Sequence, residues 1–467
     1  MKRLLFPILA LALLPLVAAR ADDPAGLEAR KQKVEAARAA LAAERKALGD
    51  QVNAAIDKGV LWLRGQQRNK GNFPAYGDKL PTGTYQPMDL GVNALVLLTL
   101  AKSGAPAEDK AVERLLSHCK SDYNLMKGRN KVTVYSAATL LMALDAVYNP
   151  QAKDETTVER DRDAYGGGTR VTRKKTPCKY PPAVQPLVEE LAKYLRASQV
   201  ASAGGWRYPG QEGSVPGVVD LSNTQYAMLG LDAAARCGVA VPLDVWTKAL
   251  DYLLKEQDAD GFPSELFVEN PAYEPGVDDP PRWVSAGKRK ARGWTYLPGH
   301  KDPNTGSMTC AGVTCLAIVK ERLTEAGKCP PETGHKIDTA MLDGLAWLSD
   351  AFTVKDNPVV PAAAAMWHYY YLYGLERVGA FTGVRHHQKR DWYAEGAKHL
   401  LGGQEKDGHW PNGAMLNKPS DNTESEVVQT CFALLFLKRS TSPPTVPVTP
   451  PVLTGRPDDA PVDTRGK

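Results

Sequence analysis

Cysteine is scarce and poorly spaced for its usual structural roles. There are seven in 467 residues, and no two form a Cys-x-x-Cys pair. That excludes a disulfide-dense scaffold and a thiolate zinc ribbon. Charge of one sign is also in short supply. A formal net charge of +5 over this length does not point to nucleic acid as a partner. After Val17 no apolar run is long enough to cross a bilayer, so no transmembrane segment is expected. Two local basic runs, RVTRKK (170–175) and KRKAR (288–292), lie in Gly- and Pro-rich insertions and read as solvated loops.

The two ends of the chain differ from its middle. Lys2 and Arg3 precede an apolar run from Leu4 to Val17, and Ala19-Arg20-Ala21 offers a small-x-small cleavage site. Residues 1–21 therefore read as a secretory signal peptide, and the mature protein as exported, periplasmic or extracellular. Residues 22–50 are rich in Ala, Glu, Lys and Arg and predict a charged, solvated helix. Residues 441–467 are rich in Pro and Thr with few large apolar side chains, the composition of a disordered tail. The body, 51–440, must hold the fold. Cys237, Cys310, Cys315 and Cys431 fall within its apolar helical patterns and read as core. Cys178 and Cys329 fall in loops, where a disulfide between them is open to an exported chain.

Within the body one pattern recurs. VLWLRGQQRNKGNF sets Leu63, Gln67, Gly71 and Phe73 in order. LAKYLRASQVASAGGW sets Leu195, Gln199, Gly205 and Trp206. ALDYLLKEQDADGF sets Leu253, Gln257, Gly261 and Phe262, and GAKHLLGGQEKDGHW sets Leu400, Gln404, Gly408 and Trp410. In each, Leu precedes Gln by one helical turn, and a Gly and an aromatic follow after a short polar stretch. The Leu faces the core near a helix end, and the Gly ends the helix with positive φ. The Gln is placed to bond backbone groups exposed there, and the aromatic to pack beneath the next element. Repetition marks Gln67, Gln199, Gln257, Gln404, Trp206 and Trp410 as structural.

Each copy is followed by a second, strongly apolar helix, and two weaker units fill the gaps, one with Phe352 where Gln would stand. Six helix pairs result, an internal repeat of stacked supersecondary units. Helices apolar on most faces must be buried on both sides. The economical arrangement is an all-α toroid with inner helices over 89–102, 132–147, 222–236, 308–322, 364–378 and 426–438, and six more amphipathic helices outside.

The Leu-x-x-x-Gln pattern followed by Gly and Trp or Phe resembles the QW motif of squalene–hopene cyclases and related triterpene cyclases. Over about residues 51–439, YYLYGLERVG, DWYAEGAKHLL and CFALLFLKR included, the chain is similar to exported prenyltransferase/squalene oxidase repeat proteins of planctomycete-type bacteria. The resemblance implies an α/α toroid of the terpenoid cyclase and prenyltransferase class. In such a cyclase the alkene is protonated by the middle acid of an Asp-x-Asp-Asp-Thr sequence. Here DLSNT aligns with it, keeping Asp220 and Thr224 but placing Ser222 and Asn223 where acids stand. Neither replacement can protonate an alkene. Related prenyltransferases bind zinc through Asp-x-Cys on one inner helix and a His on the next. His368 matches that His, but the preceding helix offers Cys310 without the Asp-x-Cys. No zinc or other cofactor is therefore expected.

The catalytic candidates are then Asp220 and His368. Asp89, Tyr135, Asn223, Ser307, Tyr369 and Gln429 also sit near starts of inner helices, which gather at one mouth of a toroid, and are the candidate ligand-binding residues. Three functions stay open. One is a divergent or non-catalytic toroid holding an apolar, isoprenoid-like molecule or another exported protein in its centre. The second is an isoprenoid-processing enzyme with altered acid chemistry. The third is an exported carbohydrate-active enzyme. An apolar, aromatic-lined cavity favours the first two, and a wide polar groove with two carboxylates favours the third.

Overall fold

The computed structural model of the chain describes residues 24–74, 88–149, 156–160, 169–173, 180–208, 218–270, 272–299, 302–358, 367–411, 423–442, 444, 448–450 and 453. The signal-peptide reading of 1–21 lies outside them, as does most of the 441–467 segment.

Six apolar helices form a closed ring: α2 (Asp89–Lys102), α4 (Val134–Tyr148), α6 (Leu221–Arg236), α8 (Gly306–Glu325), α10 (His368–Thr382) and α12 (Thr423–Lys438). Each packs on the next, and α12 packs back on α2. The outer layer is α1 (Pro24–Gly65), α3 (Lys110–Gly128), α5 (Gln185–Ala197), α7 (Leu243–Lys255), α9 (Pro331–Asp350) and α11 (Trp392–Gly403). The two layers differ as their sequences do. Every residue of α2 from Leu90 to Ala101 is buried. α5 buries only Val188, Leu191, Ala192 and Leu195, one stripe at helical spacing. The expected inner helices are all present, with ends shifted by a few residues. Among the described residues, sheet is confined to three antiparallel hairpins: β1 (Thr156–Arg160) with β2 (Thr169–Arg173), β3 (Phe262–Glu269) with β4 (Trp283–Ala291), and β5 (His386–His387) with β6 (Arg390–Asp391). No helix among the described residues is long and apolar enough to cross a membrane.

The four expected clamps act at the ends of outer helices. Gln67 Nε2 donates to Gly71 O and Ala111 O at 3.0 and 2.9 Å. Gln199 Nε2 donates to Gly204 O and Val245 O at 2.8 and 3.0 Å. Gln257 Nε2 reaches Arg292 O and Ala340 O at 3.2 and 2.9 Å, and Gln404 Nε2 reaches Gly408 O and Ala55 O at 2.8 and 2.9 Å. Each amide thus ties its own turn to a following outer helix: to the first turn of α3 and of α7, to the middle of α9, and in the last case to α1. The indole of Trp206 donates to Leu195 O, and that of Trp410 to Leu400 O, at 2.7 and 2.8 Å. These are the carbonyls of the Leu one turn before each Gln, at the helix end, and Leu195 O also accepts from Ser198 N at 3.2 Å.

Several expectations need correction. In the third clamp the aromatic is Trp294, whose indole donates to Leu253 O at 2.9 Å. Phe262 is 52 % exposed. The β3–β4 hairpin is inserted between Gln257 and its aromatic, and Gly261-Phe262 at its base mimics the motif. KRKAR accordingly lies along β4 rather than in a loop. In the second clamp the positive φ belongs to Gly204, not Gly205. Residues 22–50 do not form a separate helix. From Pro24 on they run without a break into the first outer helix as α1, Gly49 alone being too weak a breaker between good helix formers. Cys237 is disulfide-bonded and Cys329 carries a free thiol, so Cys178 and Cys329 are not paired. Within the 441–467 segment, Val448 is buried and Thr441 bonds Glu376 of α10.

Candidate functional site

The ring encloses a cavity of about 470 Å3 at the N-terminal ends of the inner helices. All six contribute. Gly91, Val92 and Leu95 come from α2, Tyr135 and Thr139 from α4, and Ser222 and Tyr226 from α6. Ser307 and Met308 come from α8, Tyr370 from α10, and Val428 and Phe432 from α12. The recurring offset of four is one helical face seen from the axis. Loop residues Met88, Tyr208, Tyr296, Thr305, Asn357 and Trp367 complete the wall. Among the described lining residues none is charged.

The wall's polar groups are joined in a chain. Tyr135 Oη donates to Ser222 Oγ at 2.6 Å, Ser222 Oγ lies 3.0 Å from Tyr370 Oη, and Tyr370 Oη donates to Gln225 Oε1 at 2.8 Å. Because Tyr370 spends its proton on Gln225, Ser222 is the donor in the middle link. Tyr370 of α10 reaches α6, two positions round the ring, so its side chain bars the lumen. Burial raises the phenols of Tyr135 and Tyr370, the latter to about 12, so both are neutral donors at ordinary pH. Ser222, at the position that would hold the proton-donating acid of a cyclase, is here a relay between two tyrosines.

Arg377 lies two turns along α10 from Tyr370. It is 1 % exposed, and its guanidinium lies 4.1 Å from the centre of the Tyr373 ring. Its charge lowers the phenols of Tyr226 and Tyr370 against the larger upward push of burial. None of its three side-chain nitrogens makes a hydrogen bond of normal geometry. The neighbouring Glu376 spends its carboxylate on Thr441 N and Oγ1.

The predicted site residues divide. Tyr135 and Ser307 line the cavity. Asp220, Asn223, His368, Tyr369, Asp89 and Gln429 do not. Asp220 is the N-cap of α6. Its carboxylate accepts from Asn223 N at 2.7 Å and from Asn223 Nδ2 at 2.8 Å, and burial raises its pKa to about 6. His368 shares its Nε2 with Val354 O at 2.9 Å and packs edge-on against His399 of α11, on the outer side of α10. Burial lowers its pKa. Trp283, in the hairpin insertion, packs under Arg282 and against His386. Cys310 faces Gly374 of α10 within the ring, and burial drives its thiol pKa up. No group of three or more His, Cys, Asp or Glu able to hold a metal exists among the described residues.

Sequence reasoning missed Tyr226, Tyr370, Phe432, Trp367, Tyr208, Tyr296 and Arg377. The first three were open to it, since each stands on an inner helix at the spacing of a lumen-facing row. Tyr208 and Tyr296 arrive on loops, and no sequence signal marks them.

No protein-family model matches the chain, and no curated protein does. Solved structures similar to it include type II terpene cyclase MstE from Scytonema. One is an arginine-to-alanine variant with geranylgeranyl dihydroxybenzoate (12 % identity, 85 % of this chain and 99 % of that one, TM-score 0.46). Another is an aspartate-to-alanine variant with merosterolic acid A (12 % identity, the same coverages, TM-score 0.45).

Proposed function

We propose that the protein is an exported binding protein that holds an apolar, isoprenoid-like molecule in its central cavity without cyclising it. The cavity wall carries this reading. It is apolar and aromatic, free of carboxylates among its described residues, and of a size usual for small-molecule sites. That wall does not suit the two spaced carboxylates of a glycosidase.

Cyclisation is disfavoured on two physical grounds. Protonating an alkene needs a strong acid facing the cavity. Asp220 titrates near 6, is engaged by Asn223, and is not part of the wall. The carbocation that would follow would form in a dry space backed by the fixed charge of Arg377. At low effective dielectric, like charges repel strongly.

The test is binding of farnesol, followed by quenching of tyrosine and tryptophan fluorescence, together with native mass spectrometry for a co-purified lipid. Leu95→Trp should fill the cavity and abolish both signals while the protein still melts cooperatively. Farnesol binding unaffected by Leu95→Trp would place the site elsewhere. Conversion of a linear polyprene to a cyclic product would return the protein to the enzymes.

A further inference from the structure

The buried polar groups left without partners beside the cavity are mainly donors. Gln225 is fully buried, and its Oε1 is taken by Tyr370 while its Nε2 has no partner. Arg377 adds three nitrogens in the same condition. A guanidinium cannot shed its proton in a protein, so Arg377 is a cation in the interior, set among the phenols of Tyr373, Tyr226 and Tyr370 and beside Glu376, whose carboxylate is spent on Thr441. Such a group is costly unless something pairs with it.

Its direction is set by α10. A Cβ at Gly374, one turn nearer the cavity, would sit 4.0 Å from Arg377 Nη2. The side chain therefore runs back along the helix toward the cavity end, as helical side chains do. It meets Tyr226 and Tyr370, both of which line the wall. The Tyr226 hydroxyl finds no acceptor among the described residues.

We propose that the cavity's ligand is an apolar molecule ending in a carboxylate. That end is seated toward α10, where the Tyr226 hydroxyl and Gln225 Nε2 donate to it and Arg377 supplies the countercharge. This rests on the reading of the cavity as an isoprenoid-type binding site, and it replaces Asp220 and His368 as the groups that orient the ligand. One cation matches one carboxylate, and the guanidinium fork fits its planar pair of oxygens. A neutral alcohol would bring no countercharge to it.

Farnesoic acid and farnesol share one hydrocarbon chain and differ only at the head, so titrating both against the full chain at neutral pH separates the two claims. The acid should bind at least about tenfold more tightly, a difference of about 1.4 kcal/mol. Arg377→Met should bring farnesoic acid down to the affinity of farnesol and so erase that preference, and Arg377→Lys should restore part of it. Arg377→Met without ligand should melt at the same temperature or higher, because it removes an unpartnered buried charge. If Arg377→Met fails to fold, Gln225→Leu reads the same preference. Equal affinity for acid and alcohol, or a preference kept in Arg377→Met and Gln225→Leu, overturns the carboxylate and leaves the cavity reading standing. Failure of both probes to bind the folded wild type overturns both.

Discussion

Gln404 Nε2, at the end of the last complete outer helix, donates to Ala55 O of the first at 2.9 Å and closes the outer ring. The geometry beside it is tight. Gly408 has φ +111°, and a Cβ there would meet Lys58 O, one turn along α1 from Ala55, at 2.5 Å. The same pairing recurs at Gly204 with Lys248 O and at Gly71 with Arg114 O. In each, the Gln takes one carbonyl of the following outer helix and the Gly lies on the carbonyl three residues further on. In the third clamp Arg292 replaces the Gly, and its N–H donates to Asp343 O instead.

Gln404→Ala should therefore lower stability by about 1–3 kcal/mol, since two carbonyls lose their donor. Gly408→Ala should cost about as much through positive φ and the clash with Lys58 O. Gly402→Ala, inside α11 with nothing within 4 Å of the added carbon, should be neutral or slightly stabilising. Urea denaturation of the three variants decides it. Equal effects at Gly408 and Gly402 would remove the clamp argument.

Trp294 rather than Phe262 completes the third clamp. Trp294→Ala should cost about 3–5 kcal/mol, as expected for a fully buried indole. Phe262→Ala should stay within about 0.5 kcal/mol, as a surface change does. Thermal melts of both suffice, and the reverse order would restore the reading drawn from sequence alone.

Asp220 gives a pH dependence whose sign is fixed. Its native pKa is raised to about 6, above the usual carboxylate value of about 3.9. Between those pH values the native state holds more protons than the unfolded state. Stability contributed by this group therefore falls as pH rises from about 4 to 6, by on the order of 2–3 kcal/mol in all. His387, lowered to about 3 by burial, acts in the opposite direction up to about 6.5. The measurement is thus the difference between wild type and Asp220→Asn across pH 4 to 7. Wild type should lose stability relative to the variant as pH rises. A flat difference would mean that Asp220 is not ionising in a buried cap.

The toroid was legible because its causes are local and repeated. All-round apolar helices can only be interior, one-striped helices can only be their cover, and Leu-x-x-x-Gln places a side-chain amide at four of the outer-helix ends. The six inner helices and the structural role of the four glutamines follow from those rules. The break at Phe262 does not, because an inserted hairpin hides the true partner, Trp294, far along the chain and offers Gly261-Phe262 in its place. The site was less legible for a related reason. Nearness to a helix start is visible in sequence, but rotation about the helix axis relative to its neighbours is not. That rotation turns Ser222, Tyr226 and Tyr370 into the lumen, leaves Asp220 to cap its own helix, and sends His368 to the outer layer. The unbonded guanidinium nitrogens of Arg377 are likewise a property of the closed ring, since only tertiary packing determines which groups come near enough to meet them.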